Sequence, residues 1–539
     1  MPQLKQFLSV VFFILLVLAI SQCARRGTPS GGPKDIQPPV LVSAEPENMT
    51  TNFKATTIKL FFDEYIKLEN AQAQIIISPP LKNVPEIKPQ GGASKFIEIT
   101  LKDTLRENTT YTINFGQSIV DNNEGNPNKF LRYVFSTGDY IDSLSISGAV
   151  KDAYNKKAEE FVSVMLYEID SAYNDSTIYK YPPNYLTNTL DSLPLFSLQN
   201  LKAGKYKLFA LKDNANNNVF DQNADKIAFL NDTITLPTDS VYLLNLFKEI
   251  PDYVASVPSY AAKNRILFGF TTIDSTITIE PITPLPDSVK TKILKERDKD
   301  SLNFWLTATD IDSIIFQVKN LKYQTLDTFT VKARKLALDT MNLRASHSSR
   351  IDFEDKFKLL GNTPIIKVDS SKIGLFDKDT LPVSYSYNLD TVKNQVDFDF
   401  DLVDNQSYFI NLLPGAIEDF FGTVNDTLNY KLSTGSYADY GNLNLTISGA
   451  VTYPIIVQLL TDKGEIVREN WSQKPQTLRL ENLKTGNYTV RVIFDENSNK
   501  KWDTGNYLTG KQPEKIVHYP DVFEMRANWE ANENFIISN

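Results

Sequence analysis

Side chains suited to acid-base or nucleophilic chemistry near neutral pH are scarce here: two histidines and one cysteine in 539 residues. His347 sits among serines in Arg344-Ala345-Ser346-His347-Ser348-Ser349-Arg350, with no Gly-x-Ser-x-Gly elbow around it. His518 ends the strand-like stretch Ile516-Val517-His518. Both read as structural. The adjacent carboxylates Asp63-Glu64, Glu159-Glu160 and Glu418-Asp419 would point to opposite faces of a strand, so none forms a catalytic dyad by itself. The local constellation with a mechanism is Asp495, Asn497, Asn499 and Asp503, where oxygen-bearing side chains at the first, third, fifth and ninth positions of a turn can converge on calcium. Asn506 stands where a bidentate Glu would complete such a loop, and Lys500 where a Gly would turn it. A second copy keeps Asp213, Asn217 and Asp221 but has Ala215 at the third position. The competing reading of both loops is an Asx-rich hairpin whose side chains bond their own backbone. Calcium is the one candidate cofactor.

The single thiol, Cys23, follows a fourteen-residue stretch, 7–20, that is apolar apart from Ser9 and preceded by Lys5. That length suits a signal-peptide core better than a membrane span. Ile20-Ser21-Gln22-Cys23 resembles a lipobox, with Gln22 in place of the usual small residue, which implies cleavage before Cys23 and lipidation of its sulfur. A diacylglycerol plus an amide-linked chain would hold the protein at a membrane, where one acyl chain alone is marginal. Residues 23–38, rich in Gly, Pro and small polar side chains, read as an extended tether. Cys23-Ala24-x-x-Gly27 followed by Gly31-Gly32-Pro33-Lys34-Asp35 resembles the start of many Bacteroidetes envelope lipoproteins. The address implied is the outer membrane, on its periplasmic or its cell-surface face.

From Pro39 the chain alternates apolar and polar residues at period two, in short runs such as Thr57-Ile58-Lys59-Leu60-Phe61-Phe62 and Tyr111-Thr112-Ile113-Asn114-Phe115, separated by Asn, Pro, Gly and Asp. This is the pattern of half-buried antiparallel strands. Residues 39–140 resemble the bacterial Ig-like domain of S-layer and envelope proteins, on an opening Pro38-Pro39-x-Leu41 with Pro46, a Phe62-Asp63-Glu64 strand end, Tyr111-Thr112-x-x-Phe115 and a closing Phe135-Ser136-Thr137-Gly138. Thr446-Ile447-Ser448-Gly449-Ala450-Val451 repeats Ser145-Ile146-Ser147-Gly148-Ala149-Val150. Asn482-Leu483-Lys484-Thr485-Gly486-Asn487-Tyr488 repeats Asn200-Leu201-Lys202-Ala203-Gly204-Lys205-Tyr206, and an Asp follows seven residues after each Tyr. Residues 141–250 and 441–539 thus form a duplicated pair that resembles the transthyretin-like or carboxypeptidase-regulatory-like β-sandwich. Ser433-Thr434-Gly435 and Tyr408-Phe409-Ile410-Asn411 place a second, divergent Ig-like domain at 351–440. A further β domain is expected at 251–350, where 289–300, VKTKILKERDKD, reads as a short exposed helix from its Lys, Glu and Leu content.

The fold expected is all-β: serial Ig-like and transthyretin-like sandwiches with an internal duplication and short connecting helices. Hydrophobic content of 42%, with 32 Phe and 25 Tyr, supports several cores. A formal net charge of −9 without a basic block argues against nucleic acid. The functional expectation is a non-enzymatic, outer-membrane-anchored lipoprotein serving as a structural or protein-binding module of the cell envelope, such as an accessory of an outer-membrane β-barrel complex. A carbohydrate-binding surface lipoprotein engaged in nutrient capture would require exposed aromatics on one face to bind polysaccharide. An enzyme with its site in 251–350 would require a pocket of converging carboxylates with perturbed pKa values.

Overall fold

Period-two alternation decides the local structure along most of the chain. Strand Thr57–Leu68 buries Ile58, Leu60, Phe62 and Ile66 while the residues between them face outward. The computed structural model describes residues 35–129, 131–189, 193–307 and 311–538; the signal peptide expected at 1–22, Cys23 and most of the tether lie outside them. The chain divides into two compact units, one ending at Ser143 and including Gln199–Leu201, the other comprising Leu144–Leu198 and Lys202–Asn539.

In the first unit, one sheet orders Glu86–Lys88, Ser94–Thr100, Thr57–Leu68, Ile119–Asp121 and Pro127–Asn128, with Leu41–Glu45 on the edge of Thr57–Leu68. The facing sheet is Ile76–Ser78, Thr110–Asn114 and Arg132–Ser136. Ile97, Ile99, Ile113, Phe115, Tyr133 and Phe135 fill the space between. The tether ends earlier than expected: residues 35–38 lie against this sandwich, Asn126 Nδ2 donating to the Asp35 carbonyl at 2.9 Å.

The second unit holds four sandwiches. Its first and last agree strand for strand. Leu144–Asp152 lies between Leu195–Leu201 and Val241–Leu246, and Tyr440–Gly449 lies between Thr477–Lys484 and Glu530–Ile537. In each, first and last strands pair in parallel. The opposing sheets order Tyr185–Asn188, Ser163–Glu168, Gly204–Lys212, Lys226–Phe229 in one copy and Ile466–Ser472, Ile455–Thr461, Gly486–Phe494, Ile516–His518 in the other. A hydroxyl closes the same hairpin in both: Tyr206 donates to the Lys202 carbonyl at 2.9 Å and Tyr488 to the Lys484 carbonyl at 2.8 Å.

Between them come two more sandwiches. Strands from Ser259–Ala262 to Thr325–Lys332 pack around Phe268, Phe304 and Phe316, and the Phe316 ring meets the other two edge to face at 5.1 and 4.9 Å. The next begins at Leu343–Ala345, which pairs with Phe357–Gly361, so it starts before the boundary expected at 350. It repeats details of the first unit. Tyr111 and Tyr408 accept the Arg106 and Val403 N–H groups through their hydroxyls, at 2.9 and 2.8 Å. Thr137 and Thr434 accept from Thr109 and Gln406 N–H, both at 3.0 Å.

The helix expected at 289–300 is not formed. Thr291–Lys295 is a strand paired with Ser301–Leu306, and Leu294 is buried. Asp298 turns the chain at positive φ, while Glu296 Oε2 accepts the Ser301 hydroxyl at 2.7 Å. Helix propensity of about a few tenths of a kcal/mol per residue yields to the ladder with Ser301–Leu306 and the burial of Leu294. Among the described residues the helical turns are brief: Ala71–Gln74, Thr177–Tyr179, Ser370–Lys372 and Tyr437–Asp439.

Candidate functional site

The two Asx-rich loops follow strands Gly204–Lys212 and Gly486–Phe494 and carry every residue proposed for calcium. The structure brings Asp495, Asn497, Asn499 and Asp503 together, with their oxygens taken up by N–H donors. Asp495 is fully buried and accepts from Trp471 Nε1 at 2.8 Å and from the Asn499 and Lys500 backbone at 3.0 Å. Asn497 and Asn499 turn their amide nitrogens, not their carbonyls, toward Asp503, and Lys511 Nζ lies 3.4 Å from the same carboxylate. In the first copy Asp213 accepts Ala215 and Asn218 N–H, Asn217 accepts Val219 N–H and Asp221 accepts Asn223 N–H. Among the described residues no three His, Cys, Asp or Glu side chains gather as a metal set. This geometry fits self-bonded loops rather than a calcium cage.

What the sequence reading missed is the residue that closes each loop. Asp225, fully buried, accepts Asn214 and Asp221 N–H, both at 2.9 Å. Glu514 accepts Glu496 and Asp503 N–H at 3.0 and 2.8 Å. These are matching positions, one and eight residues after the leading Asp, and each closing carboxylate precedes a Lys-Ile pair that enters the next strand. The signal was present, but obscured by spacing: Asp225 comes twelve residues after Asp213, whereas Glu514 comes nineteen after Asp495.

The longer span lets 504–512 form an arm that reaches into the first copy. Tyr507, 9% exposed, sets its ring edge-on to Phe209 at 5.1 Å and Phe229 at 5.2 Å. Its backbone N–H donates to Glu249 Oε1 at 2.6 Å, and its hydroxyl lies 3.3 Å from that of Tyr173. Burial, then the Tyr173 hydroxyl, pushes the Tyr507 phenol far up. Thr504 donates to the Lys248 carbonyl, Asn231 to the Gly510 carbonyl and Gln512 to the Phe229 carbonyl. A Cβ at Gly505 would meet the Phe247 ring at 2.6 Å, so the approach needs glycine.

A second contact joins the same two sandwiches. The Arg491 guanidinium lies 3.8 Å from the Tyr154 ring centroid, and its Nη1 donates to the Tyr154 carbonyl at 3.0 Å. Tyr154 also meets Trp502 at 4.8 Å. Lys156 Nζ donates to the Tyr519 and Pro520 carbonyls at 2.9 and 2.6 Å. A cleft of about 650 Å3 opens beside these groups, with His518 in its wall. Burial, then the Arg491 and Lys156 cations, lowers the His518 pKa from 6.5 to about 4, against smaller pulls from the Tyr154 backbone and Asp152.

The remaining candidates stay apart. Asp419 is buried and accepts Thr363, Phe421 and Thr423, while Glu418 lies 3.9 Å from Lys367. Glu159 pairs with Lys226 and Glu160 with Lys157. Asp63 accepts Val40 N–H, and burial followed by the Asp121 charge raises the neighbouring Glu64. Ser346, His347 and Asp355 form a string at 2.9 and 3.3 Å, but Ser346 Oγ also accepts Lys358 N–H and Asp355 is exposed, as in a surface turn.

Comparison with known proteins bears on the first unit. Residues 35–137 match the family model of the bacterial Ig-like domain. The Ig-like domain so placed begins at the segment that lies against its sandwich. No curated protein sequence matches the chain. Among solved structures, the S-layer protein rSbsC is 12% identical over 90% of this chain and 67% of its own, at a TM-score of 0.16; a second S-layer structure, SbsC domains 1–6, is spanned over 66% of its length. The glucan-utilisation protein SGBP-B of Bacteroides ovatus, solved with a mixed-linkage heptasaccharide, is 10% identical over 71% of this chain and 92% of its own, at 0.17. The major pilin subunit BcpA of Bacillus cereus is 9% identical over 73% and 99%, at 0.14.

Three outcomes are expected. Tyr507→Ala should destabilise the contact between the two duplicated sandwiches by about 3–5 kcal/mol, the range for emptying a buried aromatic site, and should expose 504–512 to limited proteolysis; wild-type protection would refute the anchoring role. Adding EGTA to the full chain should leave its melting temperature unchanged, and a fall reversed by calcium would show that metal replaces the N–H donors. Because His518 takes up its proton later in the folded state, its contribution is complete above pH 6.5 and is lost as pH falls toward 4. His518→Gln should flatten that part of a urea-midpoint profile; an unchanged slope would assign the acid sensitivity elsewhere.

Proposed function

We propose that this protein is a non-enzymatic lipoprotein, held at the outer membrane through a lipidated Cys23, that serves as a structural and protein-binding module of the cell envelope. The Ig-like domain and the serial sandwiches make a structural or binding module; the anchor and the envelope setting are the finer part of the reading. The observation that supports it most is the arm at 504–512. It ties the last sandwich to one that ends some 250 residues earlier, and it does so through a buried aromatic ring and a buried carboxylate. Side chains elsewhere used for acid-base work are here employed in architecture: Asp121, Asp225, Asp419, Asp495 and Glu514 each accept backbone N–H groups within a turn. Such loops present fixed surfaces on a rigid support, which suits docking to another envelope protein, including a β-barrel complex.

The anchor is tested by fractionation. Wild-type protein should appear in the outer-membrane fraction with a diacylglyceryl group on an N-terminal Cys23, seen by mass spectrometry, whereas Cys23→Ser should move to the soluble fraction. An unmodified thiol in the mature protein would overturn the reading.

A further inference from the structure

The last sandwich carries a surface that its duplicate lacks. In the first copy the parallel pairing of first and last strands begins at Ser147, one residue before Gly148. In the second it begins at Asn442, seven residues before the matching Gly449, because strand Glu530–Ile537 runs further back along its neighbour. The added register turns Leu443 and Leu445 into the core and lines up Asn442 and Asn444 outward beside Glu530 and Asn532. Asn444 Nδ2 donates to Glu530 Oε1 at 2.9 Å and to Asn532 Oδ1 at 3.1 Å, and Ser448 donates to Asn534 Oδ1 at 3.0 Å.

At the head of this polar face lies a cleft of about 570 Å3, flanked by two exposed aromatic residues, Tyr437 at 50% and Trp529 at 46% exposure. Asn442, Asn482 and Asn528 line it together with Glu481 and Glu530, and no Lys or Arg is among its lining residues. Internal bonds use part of the amide capacity: Asn442 Oδ1 accepts Asn482 N–H at 3.1 Å, and Asn482 Nδ2 donates to Glu354 at 3.1 Å. An Asn side chain offers two N–H groups and a carbonyl, so donors and acceptors remain.

The walls are held from behind. Tyr437 stacks on Phe353 at 4.2 Å. Tyr440 donates to Asp352 at 2.7 Å, and the Lys484 ammonium meets the other oxygen of that carboxylate at 2.5 Å. Burial alone would raise Asp352, but Lys484 and the Tyr440 hydroxyl outweigh it and hold the group below the usual carboxylate range. The second Ig-like sandwich and the last transthyretin-like one are thereby fixed against each other, with the cleft at their junction.

We infer that this cleft binds a neutral polysaccharide. Flat aromatic faces beside amides and carboxylates match the alternation of C–H faces and hydroxyl rims on a sugar ring, which presents both donors and acceptors. Glu481 pairs with Arg479 at 2.8 Å and the Arg526 guanidinium lies 5.7 Å from the Trp529 ring centroid, so Glu530 is the carboxylate that disfavours acidic glycans and nucleic acid by like-charge repulsion. A purely apolar protein segment would leave the amides without partners. The inference does not depend on the lipid anchor.

The test is affinity electrophoresis of the full chain carrying Cys23→Ser, in native gels containing barley mixed-linkage β-glucan, galactomannan, soluble starch or alginate, with tryptophan fluorescence titrations alongside. At least one neutral polymer should retard the protein and perturb its fluorescence, while alginate should not. Trp529→Ala, at a half-exposed position, should keep the wild-type melting temperature and weaken binding at least tenfold; Glu530→Gln should weaken it severalfold. Failure of all three neutral polymers, stronger binding to alginate, or binding undiminished in Trp529→Ala would each overturn the inference. Should Trp529→Ala misfold, undiminished binding in Glu530→Gln would do the same.

Discussion

The second unit depends on one insertion: an aromatic ring from the last sandwich seated among Phe209, Phe229 and Tyr179 of its duplicate, with Glu249 receiving the N–H of the same residue. A ring of that size loses contact with water over nearly its whole surface, and a buried carboxylate gains a donor that it would otherwise lack. Burial raises the Glu249 pKa even so, with the Tyr507 N–H and Gln222 pulling it back. The Arg491–Tyr154 contact adds a second point of attachment, and two points fix an orientation where one would leave a swivel.

Duplication and divergence are both visible in the loops. Each copy follows a strand with an Asp, half-buried at 213 and fully buried at 495, winds through an Asx-rich turn and closes on a carboxylate that holds the same two backbone N–H groups. Because those bonds are satisfied at the turn's own ends, residues can be added between the turn and the closing carboxylate without loss of loop geometry. The longer copy uses this tolerance to extend an arm, consistent with the small entropic cost of lengthening a surface loop.

The first unit and the sandwich that starts at Leu343 show the same economy. The tyrosine hydroxyl that accepts a backbone N–H and the threonine that clamps the end of the preceding strand recur in both members, although few other residues match. In the second member one long strand is replaced by two, Phe357–Gly361 and Ile365–Val368, with Asn394 bonding across the break to the Gly361 and Thr363 carbonyls. Its junction with the last sandwich combines the Asp352–Lys484 ion pair and the Tyr440 hydroxyl with the Phe353 ring, which lies edge-on to Tyr440 at 5.2 Å.

Much of the architecture was legible in the residues alone. Alternation at period two placed most strands, and the repeated Ile-Ser-Gly-Ala-Val and Asn-Leu-Lys-x-Gly-x-Tyr segments revealed the duplication, because side chains on a strand report burial locally. Local information runs short at residues 289–300, which have helical composition, yet pairing with Ser301–Leu306 makes their centre a strand. The spacing of Asp495, Asn497, Asn499 and Asp503 suits calcium and a self-bonded turn alike, and in the structure Trp471 and the backbone donate to Asp495. Nothing near Tyr507 in the chain announces Phe209 or Glu249, and nothing near Trp529 announces Tyr437. Those meetings join residues about 90 to 300 positions apart, and which of them occur is settled by how sheets stack and sandwiches dock, a question of three-dimensional packing to which spacing along the polypeptide gives no access.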